Sequence, residues 1–210
     1  MRRFLNILLV AVGLSGFLAG TAAAARMDLS QQDLADLTRA EDYLNAIKSI
    51  KARFLQVAPD GALSQGNLYI NRPGRLRFDY DPPIPVLVVS DGGWVVFYDQ
   101  EVNQTSRLPL QSTPLFELVR SEIKLRDSVG VKKVERGPGT LRVTLFDPDR
   151  EEQGSITLVF EDQPFVLKQW LVRDAQGLET RVTMTDMQVN VRLDPDLFTL
   201  FSPNYDDFDQ

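Results

Sequence analysis

The fold of this chain is decided by the stretch Asn71-Arg72-Pro73-Gly74-Arg75-Leu76-Arg77-Phe78-Asp79-Tyr80. Leu76, Phe78 and Tyr80 alternate with charged residues, and successive side chains of a strand point to opposite faces of the sheet. Pro73-Gly74 predicts a tight turn before this strand, because proline presets φ and glycine accepts a positive φ. We therefore expect a strand with one apolar face and with Arg72 at the corner of the turn.

Composition excludes several classes of protein. The chain has 210 residues, a net charge of -6 and 43% hydrophobic residues, so it can build a sizeable core and is not disordered. It has no basic cluster in its middle, and a nucleic-acid partner would require one to displace counterions from phosphates. We expect no nucleic-acid partner.

The chain contains no histidine and no cysteine. Ser-His-Asp and Cys-His catalysis are therefore impossible, and the commonest ligands of transition metals are missing. A carboxylate enzyme would have to use Asp79, Asp81, residues 147–152 or residues 206–207, which fall at strand ends, in a loop or in the tail. Solvated charge explains such positions, so we expect no enzyme, no cofactor and no metal site.

The N-terminus predicts export. Met1-Arg2-Arg3 is positively charged, residues 4–18 form an apolar run, and residues 21–25 are small. This pattern is typical of a signal peptide, and we expect residues 1–25 to be removed. A membrane anchor is the alternative, but the apolar run falls short of the ~20 residues that span a bilayer. No cysteine follows to carry lipid, so we expect a soluble mature protein.

Periodicity predicts a helix followed by many strands. Apolar residues recur at three- and four-residue steps in residues 28–50, and Ser30 with Asp33 resembles an N-cap. Period-two segments then alternate with turn signals, which predicts an antiparallel meander, and residues 113–120 predict a second, short helix. A change of parity after Met184 predicts a bulge in the last strand. We expect one domain over residues 26–203 and an acidic tail at 204–210.

From the residues alone the apolar faces have two interpretations. A curved sheet covered by two amphipathic helices either fills with side chains or keeps a cavity, and periodicity favours the filled core. Arg72 is likewise interpreted most simply as a solvated arginine of a turn. The residue patterns alone predict an exported, single-domain, β-rich protein and identify no ligand.

Four motifs in order resemble those of the outer-membrane lipoprotein carrier proteins, the LolA family. They are residues 52–56 (ARFLQ), 66–78 (GNLYINRPGRLRF), 90–92 (SDG) before an aromatic strand, and 113–115 (TPL). The resemblance implies a mainly β fold with some helix: an incomplete, strongly curved antiparallel β barrel whose open side is closed by a helical lid over an apolar cavity.

The resemblance also implies a function in the periplasm. The cavity would take the acyl chains of triacylated lipoproteins released by an inner-membrane ABC transporter and pass the cargo to an outer-membrane receptor. We expect a monomer. A related sensor or binding protein for acyl chains or unfolded outer-membrane polypeptides, and an enzyme on the same scaffold, stay open as alternatives.

By the same resemblance Arg72 is expected to hydrogen-bond the lid and hold the closed state, in the turn made by Pro73 and Gly74. Leu76 and Phe78 are expected at the cavity mouth. The complete set expected to line the cavity or its mouth is Phe54, Leu68, Ile70, Leu76, Phe78, Tyr80, Val88, Trp94, Val96, Leu115, Phe116 and Leu118.

Overall fold

The computed structural model describes residues 29–125 and 130–199. Two helices, α1 (Gln31–Ala46) and α2 (Phe116–Val119), accompany eleven strands within these ranges. The strands are β1 (Ser49–Val57), β2 (Leu63–Asn71), β3 (Arg75–Tyr80), β4 (Val86–Asp91), β5 (Trp94–Asp99), β6 (Gln104–Pro109), β7 (Gly130–Gly137), β8 (Thr140–Phe146), β9 (Ser155–Asp162), β10 (Phe165–Arg173) and β11 (Glu179–Val189).

All eleven strands belong to one antiparallel sheet, in the order β6-β5-β4-β3-β2-β1-β11-β10-β9-β8-β7. β3 and β10 are four strands apart in this order, which would separate them by about 19 Å in a flat sheet. The rings of Phe78 on β3 and Trp170 on β10 nevertheless lie 6.4 Å apart. The sheet is therefore strongly curved toward the face that carries these rings, and β6 and β7 remain its two unpaired edges in the described chain.

This architecture confirms the predicted mainly β fold with an open, curved antiparallel sheet. The concave face holds the main core, because the strand register places Phe78 opposite Leu68 and Val88, and Trp170 opposite Leu158 and Val182. All six of these side chains are at most 6% exposed. Burial of this continuous apolar face drives the sheet to curl around it.

α1 begins at the N-cap that the sequence predicted, and the structure shows that Ser30 and Asp33 form a reciprocal capping box. The Ser30 hydroxyl accepts a hydrogen bond from the Asp33 backbone N–H at 3.1 Å, and the Asp33 carboxylate accepts one from the Ser30 N–H at 3.0 Å. The helix buries Leu37, Ala40 and Leu44 against the core. Extending the helix to residue 50 was wrong, because Ile50 pairs across the sheet with Ile70 and the chain is already extended at Ile47.

The predicted bulge is present where β1 meets β11. Pairing passes from Lys51 with Gln188 to Arg53 with Thr185, so the extra residue lies in β11, where Asp186 has a φ of 51°. This irregularity explains the change of parity after Met184.

A second, smaller apolar cluster lies on the convex face. Val89 and Val96 are paired across β4 and β5 and are 2% and 4% exposed. The 3₁₀ turn Pro195–Phe198 packs on β3 and β4, where Arg77 donates to the carbonyl of Leu197 at 3.0 Å. The chain beyond β11 thus returns to cover the outside of the sheet.

The predicted signal peptide at residues 1–25 and the acidic tail at 204–210 lie outside the described residues. Within the described residues, neither helix has the length and apolar character needed to cross a membrane.

Candidate functional site

The turn between β2 and β3 attaches two separate parts of the chain to the sheet. The Arg72 backbone N–H donates to the Lys48 carbonyl at 2.8 Å, and the Gly74 N–H donates to the Val119 carbonyl at 2.7 Å. Gly74 has the positive φ that the sequence predicted, 73°. A Cβ on Gly74 would lie 2.6 Å from the Cα of Gly92, so only glycine fits here.

The Arg72 side chain binds the C-terminal end of α1. Nη1 donates to the carbonyl of Leu44 and, at 2.9 Å, to that of Ile47, while Nη2 donates to Oδ1 of Asn45 at 3.3 Å. The last carbonyls of a helix have no partner within the helix, and a cation beside them is favoured by the helix dipole. α1 has no basic residue in its own last turn, so Arg72 supplies that charge from another element.

The same guanidinium binds the segment that follows α2. Nε donates to the Arg120 carbonyl at 2.9 Å, and Nη2 also donates to the Ser121 carbonyl at 3.3 Å. Asn45 joins the two sides, because its Nδ2 donates to the Ile123 carbonyl at 2.8 Å and its Oδ1 accepts from the Ile123 N–H at 3.0 Å. We call this set the Arg72 clamp: Arg72, Leu44, Asn45, Ile47, Arg120, Ser121 and Ile123.

Every acceptor of the Arg72 guanidinium is a neutral oxygen. No salt bridge to it is formed within the described residues, and burial lowers the pKa of Arg72 from its ordinary value. Hydrogen bonds to a charged donor contribute about 1.5–3 kcal/mol each, whereas a buried charge left without partners is strongly unfavourable. The clamp therefore holds only when α1 and residues 120–123 are both in place.

The two elements joined by the clamp cover the concave face. Tyr43 on α1 makes edge contacts with Phe160 and Phe165, at centroid distances of 5.9 Å and 5.6 Å. On α2, Leu118 and Val119 are 5% and 1% exposed. Together they form the lid, by which we mean α1, α2 and residues 120–125.

Beneath the lid, aromatic rings form the centre of the interior. Phe54 contacts Phe78 at 5.1 Å and Tyr80 at 5.2 Å, both edge to face. The Tyr80 hydroxyl donates to Oε1 of Gln56 at 2.9 Å, and burial raises the pKa of Tyr80. In this closed structure the interior is occupied by its own side chains, so a cavity for cargo stays a prediction.

The structure places most of the predicted lining residues together. Phe54, Leu68, Ile70, Leu76, Phe78 and Val88 are at most 6% exposed, and Tyr80 packs beside them. The lid contributes buried Leu118 and partly buried Phe116, which packs against the core, and Leu115 is buried immediately before α2. These residues share one face of the sheet or its cover.

Trp94 and Val96 do not belong to that set. Val96 pairs with Val89 and Arg107 on the neighbouring strands. Val89 is adjacent to Val88, which pairs with Phe78 on the concave face, so Val89 and Val96 lie on the convex face. Trp94 shares the parity of Val96 and is 40% exposed, with the Arg107 guanidinium 4.9 Å from its ring. Placing these two residues at the cavity or its mouth was wrong, because β5 is apolar on both faces and periodicity could not determine which face is concave.

Three residues of the interior and clamp were missed. Trp170 completes the ring cluster from β10, Gln56 bonds Tyr80, and Asn45 ties α1 to Ile123. Gln56 had a usable signal, since it continues the buried parity of Phe54 in β1. Asn45 had none, because its partners Arg72 and Ile123 lie 27 and 78 residues away.

Two of the carboxylates considered for catalysis, Asp79 and Asp81, are engaged in ion pairs. Asp79 accepts from Arg77 at 2.8 Å, and Asp81 binds Arg53 through both oxygens. Hydrogen bonds from Arg53 hold the pKa of Asp81 below its ordinary value. Within residues 29–125 and 130–199, no group of three or more His, Cys, Asp or Glu side chains is placed to hold a metal ion.

Comparisons of the sequence with known proteins identify one family. The family model described as "Outer membrane lipoprotein carrier protein LolA" matches residues 45–201. An outer-membrane lipoprotein carrier protein of Methylococcus capsulatus is 30% identical over 183 residues, which cover 83% of this chain and 86% of the relative. One of Chromohalobacter salexigens is 29% identical over 170 residues, covering 76% and 80%. The crystal structure of a LolA superfamily protein from Nitrosomonas europaea aligns with a TM-score of 0.42 at 12% identity, covering 78% of this chain and 97% of that one.

Proposed function

Because this chain belongs to the outer membrane lipoprotein carrier protein LolA family, we propose that it carries lipoproteins across the periplasm and is not an enzyme. The cargo is the acyl portion of lipoproteins released from the inner membrane, and the destination is the outer membrane. An inner-membrane ABC transporter would supply the cargo, and an outer-membrane receptor would accept it. The exported, mature protein would lack residues 1–25.

An apolar interior is the chemistry that such a cargo requires. Each CH₂ group removed from water is worth about 0.8 kcal/mol, so exposed acyl chains would drive aggregation rather than diffusion. The concave face offers aromatic and aliphatic side chains from both halves of the sheet, including Phe54, Phe78 and Trp170. Cargo would occupy this interior after the lid has separated from the sheet.

The Arg72 clamp is the single observation that carries the proposal. A carrier must release what it binds, so its closed, empty state has to compete with its loaded state. Five hydrogen bonds from Arg72 stabilise the closed state, and all are lost if the lid moves away. Reforming the clamp would thus offset part of the free energy of acyl burial and promote delivery.

A transfer assay with Arg72→Leu tests this function. Purified protein is loaded with a triacylated lipoprotein and mixed with outer membranes. We expect the variant to bind cargo but to transfer it at least about tenfold more slowly, because weakening the closed state by 1.4 kcal/mol tightens the loaded state tenfold. It should also bind more of a hydrophobic dye when empty, since its lid is looser.

Arg75→Leu is the matched control, since Arg75 is exposed in the next position after the same turn. It should transfer cargo like the wild-type protein. Equal transfer by the Arg72 variant and the wild type would contradict the role of the clamp. Mass spectrometry of the native protein separates the carrier from a sensor: intact lipoproteins support the carrier, and only free lipids or peptides count against it.

A further inference from the structure

Gln56 is a polar side chain inside the apolar interior. It lies on β1 with the same parity as Phe54, between Ser64 of β2 and Val182 of β11. Only 3% of the residue is exposed. Ile50, Ala52 and Phe54, which precede it on the concave face of β1, are all apolar, so Gln56 interrupts a hydrocarbon surface.

The Gln56 amide is only half satisfied. Its Oε1 accepts the one hydroxyl hydrogen of Tyr80, at 2.9 Å. Its Nε2 is buried and has no hydrogen-bond partner in the part of the chain that the structure describes. Buried amide donors are almost always paired, since leaving one unpaired loses its hydration without compensation. The unpaired Nε2 therefore marks a place for an acceptor that residues 29–125 and 130–199 do not supply.

The surroundings decide what kind of acceptor fits. The fully buried residues of the described chain include no Lys, Arg, Asp or Glu. The nearest ion pair along the same strands, Arg53 with Asp81, takes the opposite parity on β1. Burial also keeps Tyr80 in its neutral form by raising the pKa of Tyr80. A carboxylate here would lose its hydration and meet no cation, whereas a neutral carbonyl oxygen would not.

We propose that Gln56 Nε2 binds the carbonyl oxygen of an acyl ester or acyl amide, so that the interior recognises the acyl linkage and not hydrocarbon alone. This inference rests on the proposed function, since it names the part of the cargo that enters. The Phe54 and Tyr80 rings beside the amide offer flat apolar surface for the adjoining chain. Gln56 pairs with Ser64, at the end of β2 opposite to the Arg72 turn, so the linkage would lie away from the clamp.

The test compares two lipids that differ only in the linkage. A diacylglycerol with ester bonds and its diether analogue with the same chains compete with a hydrophobic dye for the mature protein. The wild type should bind the ester about tenfold more tightly than the ether, the size of effect expected for one buried hydrogen bond. Gln56→Leu should lose this preference through weaker ester binding, with ether binding unchanged.

Gln65→Leu makes the same chemical change on the exposed face of β2 and should keep the wild-type preference. A direct readout is the infrared band of a ¹³C-labelled ester carbonyl. In the wild-type complex the band should shift to lower wavenumber, and in the Gln56→Leu complex it should not. This spectroscopic shift does not depend on how the substitution affects folding.

The possible results separate this inference from the proposed function. Equal affinity of the wild type for ester and ether, or an unshifted carbonyl band, would show that the amide holds at most a water molecule. Tighter binding of oleate than of the ester would assign a carboxylate site instead. If Gln56-dependent ester binding holds but no lipoprotein is transferred, the site stands and the proposed function fails. If neither lipid binds, both fail together.

Discussion

The two ends of α1 are attached to the sheet by different chemistry. At the N-terminal end, Arg136 on β7 reaches Asp33 at 2.7 Å and Asp36 at 2.6 Å, and its side chain is 36% exposed. At the C-terminal end, half-buried Arg72 donates to carbonyls such as that of Leu44. One end therefore depends on partly exposed ion pairs, and the other on a half-buried cation among neutral oxygens.

This difference indicates which end of the lid opens. Exposed ion pairs contribute little and are screened by salt, but they can break and reform one at a time. The α1 helix is also held on β9 and β10 by Tyr43 and by the Arg39 guanidinium, which lies 4.0 Å from the ring centre of Phe165. We expect the clamp end to separate as one unit while the rest of α1 stays on β9 and β10.

Among the substitutions that test the difference between the two ends of α1, Asn45→Leu should lower the stability most. The substitution removes the hydrogen bonds to both backbone groups of Ile123, a residue that is 2% exposed. Two buried backbone groups then lose their partners, so the free energy of unfolding should fall by about 2 kcal/mol. Urea unfolding at low and high sodium chloride should give the same loss, because no ion pair is removed.

Asp42→Leu is the control for Asn45→Leu, since Asp42 is an exposed residue on the same helix. It should leave the stability nearly unchanged. A loss for Asn45→Leu that shrinks at high salt would show that the clamp end behaves like the surface, and the contrast between the two ends would disappear.

A smaller effect is expected from Arg136→Leu at the other end. The substitution breaks the ion pairs with Asp33 and Asp36, both of which are partly exposed to solvent. Stability should fall less than for Asn45→Leu, and the loss should diminish as sodium chloride is raised, because salt screens exposed charges. Thermal unfolding across a salt series measures both features.

Arg142→Leu, on the neighbouring strand β8, serves as the control for Arg136→Leu because Arg142 is exposed as well. It should cost no stability at any salt concentration. If Arg136→Leu were as costly as Asn45→Leu at every salt concentration, the N-terminal attachment would be as firm as the clamp.

Much of the fold was predictable because local rules and tertiary packing agree. The capping box needs only Ser30 and Asp33, three residues apart, and the bulge in β11 follows from parity within one strand. Alternation in β3 correctly placed Leu76 and Phe78 on one buried face. In each case the residues of a single helix or strand are enough to predict the feature.

The rest of the site depends on contacts between distant segments. Arg72 gains its partners only when the chain brings residues 44–47 and 120–121 to the same turn. The convex position of Val96 follows from its pairing with Val89 and Arg107, and the 3₁₀ turn Pro195–Phe198 that covers the convex side of β3 and β4 comes about a hundred residues later. The residue pattern along one strand contains neither fact. The role of Arg72 was therefore expected only from the family resemblance, and Val96 was predicted on the wrong face of the sheet.

The smallest expected effect is the change in stability with pH that Asp33 causes. Hydrogen bonds from Ser30, followed by the bond from Arg136, lower the pKa of Asp33 from its ordinary value of 3.8. The folded protein then binds this proton less readily than the unfolded chain, so the stabilisation is fully present above pH 3.8 and is lost as the pH falls through the folded pKa. Asp33→Asn should therefore flatten the acid limb of stability against pH, measured by urea midpoints.

The contributions of Ser30 and Arg136 to the lowered pKa of Asp33 can be measured separately. Ser30→Ala removes the Ser30 hydroxyl, which donates to Asp33 Oδ2 at 2.7 Å and accepts from the Asp33 N–H, but it leaves Arg136 in place. It should flatten the acid limb more than Arg136→Leu does, and it should do so at high salt as well, because salt screens a short hydrogen bond from an uncharged hydroxyl less than it screens an exposed ion pair. If Arg136→Leu flattened it more, the N-terminal end would be governed by charge alone. Charge would then stabilise both ends of α1, and the two ends would differ only in how deeply the charged groups are buried.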